Sequence, residues 1–245
     1  MPKITDLNEL TTPTFSDVLP IVDLDNNETK KVSIDSILDV TKDRPMEFSS
    51  VTVSNQLVVG NSQDYVEIGS TGDVRLRGES TTWNDILVPL TTTKIGSNDR
   101  PLFVESEIAY AFPQNNTTER MFFTVQMPHS WEEGSVIYPH VHWKQSLNLN
   151  PTFVMEYKWF NVGETIPATW TTLTINSQTQ PYTGGDLHQV SRSLTGIDGS
   201  GKKLSSFILI VLYRNDNVYT GNVLTYQFDI HYRIDSFGSN FEYVK

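Results

Sequence analysis

The stretch that decides the fold lies near the carboxyl end and reads Leu224-Thr-Tyr-Gln-Phe-Asp-Ile-His-Tyr-Arg-Ile-Asp235. Apolar and polar residues alternate along its whole length. Successive side chains of a β-strand point to opposite faces, so this period of two predicts one strand with an apolar and a polar face. The predicted apolar face comprises Leu224, Tyr226, Phe228, Ile230, Tyr232 and Ile234, and the predicted polar face comprises Thr225, Gln227, Asp229, His231, Arg233 and Asp235.

The same period recurs in residues 135–143 and 152–161, and further strands are expected at residues 101–112, 120–127 and 170–175. Short segments rich in Gly, Asn and Asp separate these strands and favour turns. Many short strands joined by polar turns are typical of an antiparallel sandwich or jelly roll. We therefore predict a mainly β protein whose residues 83–245 form a jelly-roll-like sandwich, the head domain.

One predicted strand, Ser206-Phe-Ile-Leu-Ile-Val-Leu-Tyr213, is apolar on both faces. A two-layer sandwich covers only one face of each sheet, so the second face of this strand needs a cover. A loop or short helix of the same chain could supply it, and so could a neighbouring subunit. On the second interpretation, Ile208, Ile210 and Leu212 lie in a subunit interface.

A short repeat precedes the head, in residues 46–82. Glycines recur every nine residues at Gly60, Gly69 and Gly78, each after a few alternating β-type residues. Three such units cannot enclose a core alone, because stacked repeats bury only the faces they share with neighbours. The segment is therefore either an ordinary β-meander or a thin shaft of three intertwined chains. On the shaft interpretation, it contributes Val58, Ile68 and Leu76 to the trimer interface.

Residues 1–45 differ again in character. Residues 5–10 and 33–38 each begin with a helix N-cap residue and carry one short apolar stripe. Between them, residues 17–23 and 29–32 are expected to form two strands joined by a turn at residues 25–28. So small an element is stable only when it docks on something larger, which predicts an anchoring segment.

Composition excludes several functional classes. The chain has 245 residues, a formal charge of −11 and no Cys, so a Cys-based zinc site and a catalytic thiol are excluded. The acidic balance disfavours nucleic-acid binding, which needs clustered Lys and Arg. No apolar run approaches the roughly 20 residues of a membrane span, and the N-terminus lacks a signal-peptide pattern, so we expect synthesis in a cytoplasm and no membrane insertion.

Three stretches carry a family resemblance. Lys3-Ile-Thr-Asp-Leu-Asn-Glu-Leu-Thr-Thr-Pro13, with the segments at residues 17–23 and 29–37, resembles the N-terminal segment of tailed-bacteriophage fibre and appendage proteins. Residues 66–89 are similar to the shaft-like part of such proteins, and residues 123–143 also resemble them. The resemblance spans most of the chain. It implies a phage structural protein, but leaves open whether it is a tail fibre, a head fibre or a baseplate protein.

The resemblance implies a homotrimer that attaches to other virion proteins through its N-terminus. The sequence contains no Gly-x-Ser-x-Gly motif, no P-loop and no dinucleotide-binding fingerprint, so we do not expect an enzyme. Its location would be the virion, after synthesis in the cytoplasm of the bacterial host. The exposed sandwich would serve assembly or contact a host-surface glycan. The residues expected to dock on the virion are the apolar ones of the N-terminal segment: Ile4, Leu7, Leu10, Val18, Leu19, Ile21, Val32, Ile34 and Ile37.

A metal site is a weaker hypothesis, and no other cofactor is expected. Gly134 and the pair His140 and His142 match the first part of the cupin signature, in which two alternating histidines bind a metal. Asp229 and His231 repeat that spacing on another strand, so an N/O site for Zn, Fe or Mn is conceivable. The match is incomplete, because the cupin pattern has a Glu four or five residues after the second histidine, and this chain has Ser146 and Leu147 at those positions. Solvent-facing or inter-subunit histidines are the competing interpretation.

Carbohydrate chemistry is the other alternative. Trp131, Trp170 and Tyr182 fall in or beside predicted loops, where an aromatic ring can stack on a sugar. A glycosidase would need two carboxylates about 5–10 Å apart. The acids available for such a pair are Glu132, Glu133, Asp229 and Asp235. The alternative function is therefore a metal- or carbohydrate-binding jelly-roll module, with or without hydrolase activity.

Overall fold

The computed structural model describes residues 18–23, 28–33, 55–178 and 185–243. The chain forms two compact units, residues 1–52 and residues 53–245. Of the residues predicted to dock on a virion, Ile4, Leu7, Leu10, Ile34 and Ile37 lie outside the described residues. The helices expected near residues 5–10 and 33–38 also lie outside them, except for Ser33.

The first unit contains a β-hairpin. Strand β1 (Val18–Asp23) pairs antiparallel with β2 (Glu28–Ser33), and the register places Val18 opposite Ser33 and Asp23 opposite Glu28. The predicted pair of strands in this segment is therefore confirmed. Val18, Leu19 and Ile21 lie in β1, and Val32, which is half-buried, lies in β2.

The described part of the second unit contains strands with only two short 3₁₀ turns, Gly78–Ser80 and Leu90–Thr92. The strands are β3 (Leu57–Gly60), β4 (Tyr65–Ile68), β5 (Val74–Arg77), β6 (Thr82–Pro89), β7 (Lys94–Ile95), β8 (Leu102–Val104), β9 (Ala109–Phe112), β10 (Met121–Gln126), β11 (Tyr138–Lys144), β12 (Phe153–Phe160), β13 (Thr171–Ile175), β14 (Ser177–Gln178), β15 (Gln189–Arg192), β16 (Phe207–Arg214) and β17 (Val223–Ile234).

Two antiparallel sheets face each other in a β-sandwich-like arrangement. The five-stranded sheet has the order β13-β12-β16-β10-β7, and the seven-stranded sheet has the order β14-β15-β11-β17-β9-β8, with β6 also paired to β17. Aromatic side chains meet between the sheets: Phe123 contacts Phe228 at a centroid distance of 4.8 Å, and Phe112 contacts Phe153 at 6.2 Å. Burial of these apolar side chains supplies the main stabilisation of the sandwich.

The strand predicted to be apolar on both faces is β16, but its interface residues were assigned wrongly. Ile208, Ile210 and Leu212 are at most 1% exposed and belong to the core of their own chain. They cannot contact a second subunit without unfolding. The outward face of β16 instead carries Phe207 and Leu209, which are half-buried, followed by two buried residues that pack with Val154, namely Val211 and Tyr213.

The alternation along β17 is also interrupted. The register with β11 shifts between His142 and Trp143, so that Thr225 pairs with Trp143 inside the core. A bulge of this kind places one extra residue in a strand and reverses the faces beyond it. Leu224 and Tyr226 are therefore half-buried and outside the core, and the prediction that they share the face of Phe228 is wrong.

The nine-residue repeat forms a three-stranded antiparallel meander, β3-β4-β5, within one chain. Gly60 and Gly78 both have left-handed φ angles, of 138° and 59°, whereas Gly69 does not. A Cβ at Gly60 would clash with the carbonyl oxygen of Asp64, so the turn between β3 and β4 requires glycine there. The backbone N–H of Leu76 donates to the carbonyl of Asp235, which ties β5 to the end of β17.

A fully buried arginine closes one end of the sandwich. All five N–H donors of Arg214, which is 0% exposed, have acceptors: both carboxylate oxygens of Asp216 and the carbonyls of Phe112, Tyr219 and Gly221. Burial alone would raise the pKa of Asp216, but hydrogen bonds from Arg214 and Thr152 outweigh it and lower that pKa below 3.8. The ion pair therefore stabilises the fold above about pH 4, and this contribution is lost as the pH falls through the lowered pKa.

Replacing Arg214 with Met should lower the free energy of unfolding by about 3–5 kcal/mol, because Asp216 then stays buried without its partner. Chemical denaturation near neutral pH measures this loss. The control is Lys203→Met, which removes an ion pair with Glu133 at 3.1 Å in which Lys203 is 63% exposed. The control should cost less than about 1 kcal/mol. Equal losses in the two variants would contradict the role given to Arg214.

Candidate functional site

Four of the five histidines of the chain gather on the outward face of the seven-stranded sheet. His140 and His142 alternate with buried Val141 on β11, so both imidazoles point away from the core, as predicted. The register with β17 places His140 opposite Asp229, and Tyr138 opposite His231. Cross-strand neighbours share a face, so two strands distant in sequence bring these side chains together.

Asp229 lies at the centre of a histidine–aspartate cluster, which consists of Asp229, Asp85 and the four histidines His140, His142, His188 and His231. One of its carboxylate oxygens, Oδ2, lies 2.9 Å from Nε2 of His142. The other, Oδ1, lies 3.4 Å from Nδ1 of His140 and makes no hydrogen bond. Asp229 is 3% exposed and His140 is 5% exposed, although both face outward. A buried carboxylate oxygen without a hydrogen bond is costly and needs a physical explanation.

The cluster extends on both sides through residues that the sequence did not single out. Nδ1 of His142 lies 2.9 Å from Nε2 of His188, and the two rings stack. On the other side, Nε2 of His231 lies 2.6 Å from Oδ1 of Asp85, which belongs to β6. His188 precedes β15 in the chain, and no periodic pattern relates it or Asp85 to the two central strands.

Burial dominates the electrostatics of the cluster. It lowers the pKa of His140 to about 4, against the opposing effect of Asp229, and the neighbouring His231 and His142 lower it further. Burial also raises the pKa of Asp85, an effect that His231 opposes. Burial and the nearby His142 lower the pKa of His188. The imidazole of His140 is therefore neutral near pH 7 and keeps a lone pair.

The structure brings three of the four predicted ligands into metal-binding proximity. One donor atom from each of His140, Asp229 and His231 lies within 4.8 Å of the other two. Among the described residues, no other group of three His, Asp or Glu side chains meets that condition. His142 lies beside the group, but both of its ring nitrogens already have partners, in Asp229 and His188.

The predicted sugar-binding residues do not form one site. Trp131 is 0% exposed, donates from Nε1 to Ser135 and packs on Trp159 in the core, so its assignment to a sugar site is wrong. Tyr182 lies outside the described residues. Trp170 remains 43% exposed, with the ammonium of Lys158 over its ring at 4.9 Å.

Two of the apolar surfaces formed by described residues are exposed to solvent. On the outward face of the five-stranded sheet, Phe122, Leu209 and Trp170 line one groove, and Phe122 is 40% exposed. The second is the apolar face of the meander. Cross-strand pairing shows that this face consists only of aliphatic side chains, and none of them is buried: Leu57, Val59, Val66, Ile68, Val74 and Leu76.

The opposite face of the meander is mostly polar and contains Val58, Tyr65, Glu67, Arg75 and Arg77. Ile68 and Leu76, which were predicted to lie in a subunit interface, therefore belong to the apolar face, whereas Val58 belongs to the other face. On the apolar face, Val59 is 60% exposed and Ile68 is 38% exposed. The three-stranded sheet is thus amphipathic, and the described residues leave its apolar face partly exposed.

Comparison with models of known protein families and with curated proteins gave no match to the chain. Within residues 18–23, 28–33, 55–178 and 185–243, there is no helix with the length and apolar character that crossing a membrane would require.

Proposed function

We propose that this protein is a non-enzymatic structural component of a tailed-phage virion: a trimeric fibre, spike or decoration protein attached through its N-terminal segment. The apolar face of the meander carries this proposal. Three of its six aliphatic residues are exposed in the single chain: Leu57 by 37%, Val59 by 60% and Ile68 by 38%. A large apolar patch on a soluble surface marks an interaction site, and here it belongs to the segment whose sequence resembles a phage shaft.

The occupant of this face is a second and a third copy of the same chain. A three-stranded sheet is stable when its apolar face is packed, and identical apolar faces around a threefold axis cover one another and close the assembly. A twofold pair of sheets would cover the same surface, so the choice of three copies rests on the resemblance to phage appendages. In this arrangement the meander is the shaft, and β3, β4 and β5 of each chain face the axis.

The strand order supports a jelly roll for the head. Leaving out the short β14, the chain from β9 to β17 crosses from one sheet to the other at every step except β12 to β13, so that β9-β17-β11-β15 face β10-β16-β12-β13. This is the pairing of two four-stranded sheets expected of eight strands folded as a jelly roll. Outside the core, the groove at Phe122 and Trp170 gives the head an exposed aromatic surface for assembly or for contact with a host glycan.

Three of the four acids considered for catalysis have structural partners, which supports the non-enzymatic proposal. Glu132 pairs with Arg233 at 3.1 Å. Glu133 pairs with Lys203 and also accepts the backbone N–H of Leu204. Asp229 is held by His142. Each of these three carboxylates is therefore engaged by a neighbouring side chain.

The proposed attachment to the virion is supported by the separation of the N-terminal residues into a small unit of their own. Contacts divide the chain at residue 52, and the described part of the smaller unit is a single two-stranded hairpin. An isolated hairpin is marginally stable in water, so this unit is expected to gain its stability by docking. We assign the docking surface to the virion.

The shaft interface is tested by two adjacent substitutions on opposite faces of β3. Val59→Asp places a carboxylate on the apolar face, whereas Val58→Asp places it on the polar face. Light scattering should give three times the chain mass of 27.8 kDa for the wild type and for Val58→Asp, and the single-chain mass for Val59→Asp. Burying an unpaired carboxylate costs several kcal/mol of desolvation free energy, which is more than the packing of one side chain between the sheets contributes. A wild type of 27.8 kDa, or the same mass for both variants, would contradict the proposal.

Attachment is tested by deleting residues 1–40. The shortened protein should keep the thermal unfolding transition of the head, since the sandwich and its core lie within residues 53–245. It should be absent from purified particles when the phage is grown with the shortened gene, as measured by immunoblotting against a known virion protein. Particles that contain the shortened protein at the wild-type level would refute the anchoring role.

A further inference from the structure

The histidine–aspartate cluster has no role in the proposed assembly, yet its geometry needs explaining. Oδ1 of Asp229 is buried, makes no hydrogen bond and lies beside a second buried polar group, His140. Native proteins satisfy such atoms with a hydrogen bond, a water or an ion. The distance of 3.4 Å between Oδ1 and Nδ1 of His140 is close to the roughly 3.3 Å that separates two ligands on one tetrahedral zinc ion.

We propose that His140, Asp229 and His231 bind one divalent first-row transition-metal ion on the outward face of the seven-stranded sheet. Their donor atoms already lie within 4.8 Å of one another, so coordination requires only small side-chain movements. The ion would compensate the buried charge of Asp229 and use its free oxygen. This inference stands apart from the virion role and holds for a single chain.

The donor set identifies the class of ion. Two imidazole nitrogens and one carboxylate oxygen suit Zn²⁺, Fe²⁺, Co²⁺ or Ni²⁺, whereas Ca²⁺ and Mg²⁺ prefer sets made only of oxygen. Solvent reaches the site through His231, whose side chain is 39% exposed, which leaves room for an outer ligand such as water.

Neighbouring residues hold the three ligands in place. His142 binds Oδ2 of Asp229 at 2.9 Å, which directs Oδ1 towards His140. Asp85 binds Nε2 of His231 at 2.6 Å and fixes the orientation of that ring. Such second partners raise the basicity of metal ligands and orient them, and their loss commonly weakens binding by about 10–100-fold. The bound ion would join β11 to β17 independently of the backbone ladder between them.

The test is equilibrium dialysis of the full-length protein against Zn²⁺ after removal of metal with a chelator. The wild type should retain about one Zn²⁺ per chain, and Asp229→Asn, His140→Gln and His231→Gln should each lower the affinity at least about 100-fold. The control is His129→Gln, whose imidazole contacts Ser205 and Ser239 outside the cluster and should leave zinc binding unchanged. Zn²⁺ should also raise the unfolding temperature of the wild type and of His129→Gln only.

Substitution of the buried His140 or Asp229 could abolish zinc binding simply by unfolding the protein. The half-exposed His231 therefore gives the decisive variant. His231→Gln should unfold in metal-free buffer at the temperature of the metal-free wild type, yet no longer respond to Zn²⁺. A wild type without stoichiometric Zn²⁺ would overturn the inference. A His231→Gln variant that binds Zn²⁺ as tightly as the wild type would overturn it as well, because the ion would then lie elsewhere. Either outcome leaves the trimer proposal intact, since that proposal is judged by mass.

Discussion

A β-sheet has two faces, and the core of a sandwich can cover only one face of each of its sheets. This constraint organises everything described for residues 55–178 and 185–243. The inner faces meet through aromatic pairs such as Phe123 with Phe228. Each outer face must then be polar, be covered by another segment, or bind a partner. One carries the histidine–aspartate cluster, another the groove at Phe122 and Trp170, and the meander leaves an aliphatic face open.

The chain satisfies its buried charges and covers its apolar surfaces to different degrees. Arg214 shows a buried charge that the chain satisfies completely, with an acceptor for every N–H. Asp229 shows a buried charge that is satisfied in part, because Oδ1 lacks a hydrogen bond. The described residues leave the apolar face of the meander partly uncovered, with Val59 60% exposed. The last two features are the ones for which we propose external partners, an ion in one case and further copies of the chain in the other.

Strand alternation could be predicted from the sequence, and so could the faces that depend on it locally. Ile137, Val141 and Trp143 are buried, while His140 and His142 point outward on the same strand. Alternation fails where the chain departs from a regular strand. The bulge in β17 moves Thr225 into the core, and the predicted single strand at residues 101–112 is two, β8 and β9, separated by a turn in which Ile108 has a left-handed φ of 52°.

The sequence did not predict the register between strands or which surfaces are buried by other segments of the chain. The pairing of His140 with Asp229 is set by the alignment of two strands about 90 residues apart, and the alternation of each strand alone does not determine that alignment. Asp85 and His188 arrive from segments with no periodic link to the cluster. Trp131 follows a proline-containing turn and looks like a loop residue, yet it bridges to Ile234 and packs under Trp159. Likewise, the sequence of β16 showed that both faces are apolar, but not which of them its own chain covers.

We propose that identical chains cover the aliphatic face of the meander, and the absence of Cys from the chain permits a direct measurement of that cover. Single variants Val59→Cys and Val58→Cys, which differ in face but not in strand, can be labelled with a water-soluble maleimide in the native assembly. In the proposed trimer, the thiol at position 59 is protected and becomes reactive only when the assembly is denatured, whereas the thiol at position 58 reacts at once. Equally fast labelling at both positions under native conditions would contradict it.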